Sequence, residues 1–205
     1  NQAIASGAFA DEVVPVTFAT RKGDVTVDTD EQPGRGMPEK IPTLRPAFAK
    51  DGTITAATSS SISDGAAAVV LTRESVAKEN GQEPVAKIVA LAAHAQEPKD
   101  FTVAPVGAIT KVLERAGWTT DDVDLWEVNE AFACVAMFAM RDIGIPHEKI
   151  NVNGGATALG HPIGASGTRI IVTLLNALKK QGKKRGVASL CIGGGEATAI
   201  AIELA

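Results

Sequence analysis

From residue 58 to its end the chain alternates short β-branched apolar runs with segments of helical period. That alternation is the strongest constraint on what it can fold into. PVAKIVALAAHA (84–95), VDLWEV (123–128), KINVN (149–153), GVASLCIG (186–193) and ATAIAIEL (197–204) read as strands, and SDGAAAVVLT (63–72) leads into a further, buried one. Between them, residues 74–80 read as a short helix stopped by Gly81. Residues 105–116 carry Val106, Ile109, Leu113 and Ala116 at helical spacing before Gly117. Residues 129–142 read as a helix apolar on every side, and residues 168–181 as one with Ile170, Ile171, Leu174, Leu175 and Leu178 on a stripe. Repeated βα units closed by a hairpin across GGE predict an α/β fold: a mostly parallel mixed sheet, covered by helices, with an antiparallel edge.

Residues 1–57 differ. DEVVPVTFAT (11–20) and GDVTVDTD (23–30) read as short strands. DEQPGRGMPEKIPTLRP then packs four prolines and two glycines into 17 residues, which predicts loop. The expected division is an appended loop-rich segment, 1–57, and a main domain, 58–205.

A net charge of −4 argues against a nucleic-acid partner. Two cysteines, Cys134 and Cys191, with no CxxC pair argue against a disulfide framework or a metal site and for a reducing compartment, so a cytoplasmic location is expected. No apolar run reaches the roughly 18–20 residues of a membrane span. The first residue is not Met and no signal pattern follows it, so the chain reads as a piece of a longer protein.

Three motifs fall at expected strand ends, where α/β sheets gather their chemistry. NEAFA (129–133) follows VDLWEV. Asn129 can cap the next helix, or offer its amide to a water or carbonyl oxygen; Glu130 then sits in the first helical turn. Cys134, inside the apolar run, reads as packing. GGATALGHPIGASG (154–167) sets His161 among five glycines, where a general base or oxyanion donor would be placed and a ligand can approach the backbone closely. It lacks both the GxGxxG form and a P-loop lysine, which argues against a nucleotide cradle. CIGGGE (191–196) puts a thiol beside exposed N–H groups, or is simply a buried cysteine before a turn. His94 and His147 read as surface residues. KKQGKKR (179–185) reads as a solvated helix end.

NEAFA, GGATALGHPIGASG and CIGGG stand in the order in which the thiolase family carries them, with His161 32 residues after Asn129 and 30 before Cys191. The segment LRPAFAKDGTITAATSSSISDGAAAVVL (44–71) also resembles that family's join between its CoA-binding loop domain and its C-terminal half. The resemblance covers essentially the whole chain. It implies a C-terminal thiolase half with part of the loop domain, acting in Claisen condensation of acyl-CoA with acetyl-CoA or in the reverse thiolysis. Cys191 would be the acid/base and His161 the activator of a nucleophilic cysteine. His161 and a water on Asn129 would form one oxyanion hole, and the Gly193 N–H would contribute to a second. Ser60, Phe132 and Phe101 would meet CoA or the acyl chain.

It further implies CoA thioesters as substrates, no covalently bound cofactor, no metal, and a homodimer or homotetramer. The nucleophile would lie in a missing N-terminal half, leaving these residues inactive alone. Thr58 and Ser63 stand where the family commonly has Asn, and Phe101 near where short-chain members often have Met. A ketoacyl-synthase-like enzyme is disfavoured by the Asn129, His161, Cys191 set. A non-catalytic CoA-binding module is the alternative from another class.

Overall fold

The computed structural model describes residues 1–205. Its core is a four-stranded sheet in the order β3 (Ala86–Ala95), β6 (Glu196–Leu204), β5 (Arg185–Ile192), β4 (Leu125–Val128). Strands β5 and β6 form the expected hairpin. Strand β3 adds antiparallel to β6, and β4 adds parallel to β5. The sheet is therefore mixed and α/β as expected, but one pairing of three is parallel, not most of them. The physical reason is the hairpin: its tight turn places β6 in the middle of the sheet, where it reverses direction against both neighbours.

Helices α3 (Ala104–Ala116) and α4 (Ala133–Ile143) cover one face and α6 (Ser166–Lys180) the other. On the first face Ile109, Val112, Val135, Trp126, Val128 and Val187 pack in one cluster. On the second, Leu125, Ala188 and Ile202 meet Ile170, Leu174 and Leu178. Strand alternation sorts these sets: Leu125 and Glu127 face α6, while Trp126 and Val128 face α3 and α4. Helix α3 stops at Gly117, which takes the left-handed conformation expected of it (φ 66°). No helix is long and apolar enough to cross a membrane.

Around this core lie α1 (Gln2–Ala5), the hairpin of β1 (Val16–Thr20) and β2 (Gly23–Val27), α2 (Glu74–Glu79), and α5 (Ala156–Leu159). Residues 1–13 are tied to α6: Lys180 donates to the carbonyls of Gly7 and Ala8, while Glu12 accepts from Thr173 and Asn176.

Several local expectations fail, each for a visible reason. Residues 63–72 form no strand, and Val70 (95% exposed) and Leu71 lie bare. An apolar β-branched run becomes a strand only where a sheet edge is offered to it, and no strand of this chain pairs with it. KINVN is a turn, with one bridge from Ile150 to Trp126 and a left-handed Asn151 (φ 47°). The Asn151 side chain instead completes the strand edge, accepting from the Val128 N–H and donating to the Val128 carbonyl, each at 2.9 Å.

The helix after β4 begins at Ala133, not Asn129. Phe132 stands in the capping position, so Asn129 caps nothing and Glu130 lies before the first turn. Nor is α4 buried all round, since Met137 is exposed. His94 is half-buried, bonded to Gln96 and packed over Gly107, rather than a surface residue.

Candidate functional site

Asn129, His161 and Cys191 arrive by three routes at one end of the sheet. Parallel pairing of β4 with β5 carries both strands to the same edge; the pairing ends at Val128 with Ser189, and the Asn129 N–H donates to the Ser189 carbonyl. Cys191 lies two residues further along β5. The glycine-rich loop brings His161 over: its Nε2 stands 3.3 Å from the Asn129 amide nitrogen. Asn129 is 1% exposed, and its Oδ1 has no partner.

The other face of the imidazole is fixed by a residue that the sequence reading missed. His161 Nδ1 lies 2.6 Å from Ser166 Oγ, and that hydroxyl donates to the Pro162 carbonyl at 3.1 Å. A hydroxyl has one proton, so Nδ1–H must be the donor to Ser166 and Nε2 keeps its lone pair toward Asn129. Burial, helped by the Arg169 charge, holds the imidazole below its ordinary proton affinity. His161 is thus held neutral, with its Nε2 lone pair accepting from the Asn129 amide.

Residues 59–63 lace the two loops together. Ser60 donates from both its N–H and its Oγ to the Ala131 carbonyl, Ser59 bridges Phe132, and the His161 N–H donates to the Ser61 carbonyl. Two glycines of the His161 loop make room for this chain's own side chains. A Cβ on Gly155 would overlap the Glu130 carboxylate, and one on Gly160 (φ 85°) would overlap the Ser63 hydroxyl. Glu130 in turn accepts from Asn151, from the Thr157 hydroxyl and from the Thr157 N–H, so it holds the loop to the end of β4. These glycines serve close packing within the chain before they serve any ligand.

The structure brings Phe132 and Phe101 together, ring centroids 6.1 Å apart, and adds Phe48 at 5.8 Å from Phe132. Phe48 was legible only as part of LRPAFAKDG, where no pattern marks it. Gly193 lies exposed in the β5–β6 turn with nothing packed where a side chain would stand. A cleft of about 940 Å³ lies behind the His161 loop, lined by Glu12, Asp64, Gly160, Pro162 and Arg169; Ser60, Phe101 and Phe132 are not among its walls.

The two thiols differ. Cys191 is buried, and desolvation pushes it up to about 11, so it rests as a neutral thiol. Cys134 is half-buried rather than fully enclosed, and burial raises it too.

Under α6, Glu127 is buried with its carboxyl 3.5 Å from Arg169, and burial pushes it up to about 8. The folded state therefore keeps a proton that the unfolded chain releases at the ordinary carboxylate value of 4.5. Stability should decline as pH rises from about 4.5 to about 8 and level off above that. Thermal melts across this range should show that slope, and Glu127→Gln should flatten it. An unchanged slope in the variant would mean that Glu127 carries no such proton.

The family description "Thiolase, C-terminal domain" matches residues 82–204, and "Thiolase, N-terminal domain" matches residues 1–75. An acetyl-CoA acetyltransferase of Yarrowia lipolytica is 53% identical over 203 residues, 99% of this chain and 51% of that protein. The fold superimposes on the crystal structure of the Bacillus anthracis acetyl-CoA acetyltransferase with a TM-score of 0.95 and 43% identity, covering 100% of this chain and 52% of the other. It superimposes on the Acat5 thiolase of Ascaris suum, solved in complex with coenzyme A, with a TM-score of 0.88 and 41% identity, over 100% and 52% of the two chains. The chain spans about half the length of the curated relatives it matches. It belongs to the thiolase family.

Proposed function

We propose that this chain supplies the acid/base half of an acetyl-CoA acetyltransferase, and that the nucleophilic cysteine lies outside residues 1–205. The observation that carries this reading is the 3.3 Å approach of Asn129 to a neutral His161 at the strand edge that also bears Cys191. It is supported by relatives named acetyl-CoA acetyltransferase and by a coenzyme A complex of a relative. In this scheme residues 1–57 belong to the CoA-binding loop segment and 58–205 to the C-terminal thiolase domain.

The chemistry follows from the protonation states. His161 Nε2, once the Asn129 amide gives up its hydrogen bond to it, takes the proton of the nucleophilic thiol as that sulfur attacks an acyl-CoA. The resulting Nε2–H then donates to a thioester oxygen, with a water on Asn129 as second donor. Cys191 rests as a thiol and gives its proton to the departing CoA sulfur. As a thiolate it then removes the α-proton of acetyl-CoA; the carbanion attacks the acyl-enzyme carbonyl and expels the nucleophilic thiolate, which takes its proton back from His161 Nε2. Gly193, exposed in its turn, offers its N–H to the acyl carbonyl. Ser60, beside the Ala131–Phe132 backbone, and the Phe132–Phe101 pair meet the CoA arm and the acyl chain. No metal or covalent cofactor is required by this scheme. Homodimer or homotetramer assembly and a reducing, cytoplasmic setting complete the proposal.

Neither cysteine of this chain replaces the nucleophile. Cys191 is committed to proton transfer, and Cys134 is a raised thiol on α4. Acetoacetyl-CoA thiolysis should therefore be absent with residues 1–205 alone and present when a thiolase N-terminal half is supplied. Turnover by the isolated residues would overturn the assignment, and so would its absence from the combined protein. CoA binding without turnover in the combined protein would favour a non-catalytic module. Asn129→Ala in the active protein should lower kcat by about 10²-fold, the scale of losing one oxyanion donor, with little change in KM.

A further inference from the structure

Glu127 is a costly residue to bury. It is 2% exposed, its Oε2 meets Arg169 Nη1 at 3.5 Å, and its Oε1 has no partner. A buried pair of this kind stabilises a fold no better than apolar side chains of similar size, so its presence asks for another use. Its place in the chain supplies one. Glu127 is two residues before Asn129 on the same strand line, and Arg169 is three residues after Ser166 on α6. Asn129 meets His161 Nε2, and Ser166 holds His161 Nδ1. The pair therefore spans the same two elements that the imidazole spans, one step deeper in the structure.

We propose that Glu127 and Arg169 form a brace between β4 and α6 that positions His161: it fixes the separation of Asn129 from Ser166 and keeps the guanidinium charge beside the imidazole. Besides Arg169, the charged groups that act on Glu127 are Glu12 from the N-terminal segment and Glu130 from the loop after β4. Thr173 lies 3.5 Å from Arg169 Nη1 and donates to Glu12, so the N-terminal segment closes the outer side. The catalytic purpose of the brace rests on the reading of His161 as the base of the site; the brace and its effect on the imidazole do not.

The test reads the imidazole directly. In protein labelled with ¹⁵N-histidine, His161 is titrated, with His94 and His147 as internal references. Wild type should show Nδ1 protonated, Nε2 bare and a midpoint below that of an ordinary imidazole. The double variant Glu127→Leu/Arg169→Met keeps the packing and removes the brace. It should stay folded, raise the His161 midpoint by roughly half a pH unit or more, and mix the two neutral tautomers, leaving His94 and His147 unmoved. Arg169→Lys, which restores the charge, should keep the midpoint low. An unmoved His161 in the double variant overturns the proposal, as does an equal shift in all three histidines. Turnover plays no part in this readout, so failure of the thiolysis assay and failure of the brace are separate results.

Discussion

Replacing His161 with asparagine in the active protein should cut acetoacetyl-CoA thiolysis about 10³-fold or more, chiefly in kcat. In the proposed scheme two functions are lost together: the lone pair that deprotonates the nucleophile, worth about 10²–10⁴-fold, and a donor to the developing oxyanion, worth a further 10²–10³-fold. Because both run through one nitrogen, the losses do not simply multiply. Asparagine keeps a polar side chain and leaves the Ser166–Pro162 contact in place, so the fold should survive with little loss in melting temperature. Rapid-quench measurement of the acyl-enzyme would separate the steps, and acylation should slow first. Turnover within tenfold of wild type, in a variant shown to be folded, would remove His161 from the chemistry. The same logic gives the pH profile. The imidazole titrates below its ordinary value, so activity should persist to a lower pH than an unperturbed histidine would allow.

The largest effect on stability should come from Trp126→Ala, a loss of about 3–5 kcal/mol. Trp126 is fully buried at the centre of the α3–α4 face, in the cluster that includes Ile109, Val135, Ile145 and Ile150. It also carries part of the edge, because its carbonyl accepts from the Asn151 N–H and its backbone bridges Ile150. Truncation opens a cavity beneath the strand that ends in Asn129, so the site should loosen along with the core. Urea unfolding followed by circular dichroism measures the loss. Trp118, half-buried at the surface with Arg185 5.0 Å above its ring, is the control, and its alanine variant should cost much less. Equal losses at the two positions would contradict the burial argument.

The contrast between these two tryptophans also shows what a sequence can carry. Both are tryptophans near a strand, and only the alternation in VDLWEV says that Trp126 and Glu127 point to opposite faces. That alternation marks Trp126 as core. It would also have marked Glu127 as the residue facing the second helix layer, had a carboxylate been accepted there. An acidic residue in an apolar strand reads as solvent-facing, since its counter-charge, Arg169, lies 42 residues away on another element.

His161, Asn129 and Cys191 were legible because their glycines and their order mark them; in the structure only Asn129 follows a strand, Cys191 lies near the end of β5 and His161 follows the short helix α5. Ser166 was not. A serine among glycines has no pattern of its own, and its role appears only when the start of α6 folds back onto the ring. Phe48 is similar: a single aromatic in a proline-rich loop, given meaning by Phe132.

Residues 30–46, expected as loop, contain the 3-10 turns Pro33–Arg35 and Pro38–Thr43, whereas the sequence by itself determined the helices α3 and α6, the closing hairpin and the three motifs of the candidate site. These depend on local period, turn chemistry and residue type, which neighbouring residues specify. Only the tertiary structure decided the rest. It showed that residues 63–72 find no sheet edge here, and that β6 lies inside the sheet and reverses its direction. It also showed that Asn129 hydrogen-bonds to His161 rather than capping a helix, and that the buried Glu127–Arg169 pair stands behind both. Each of these rests on a partner distant in sequence, and strand pairing, loop closure and buried charge are settled by partners, not by the residue that awaits them.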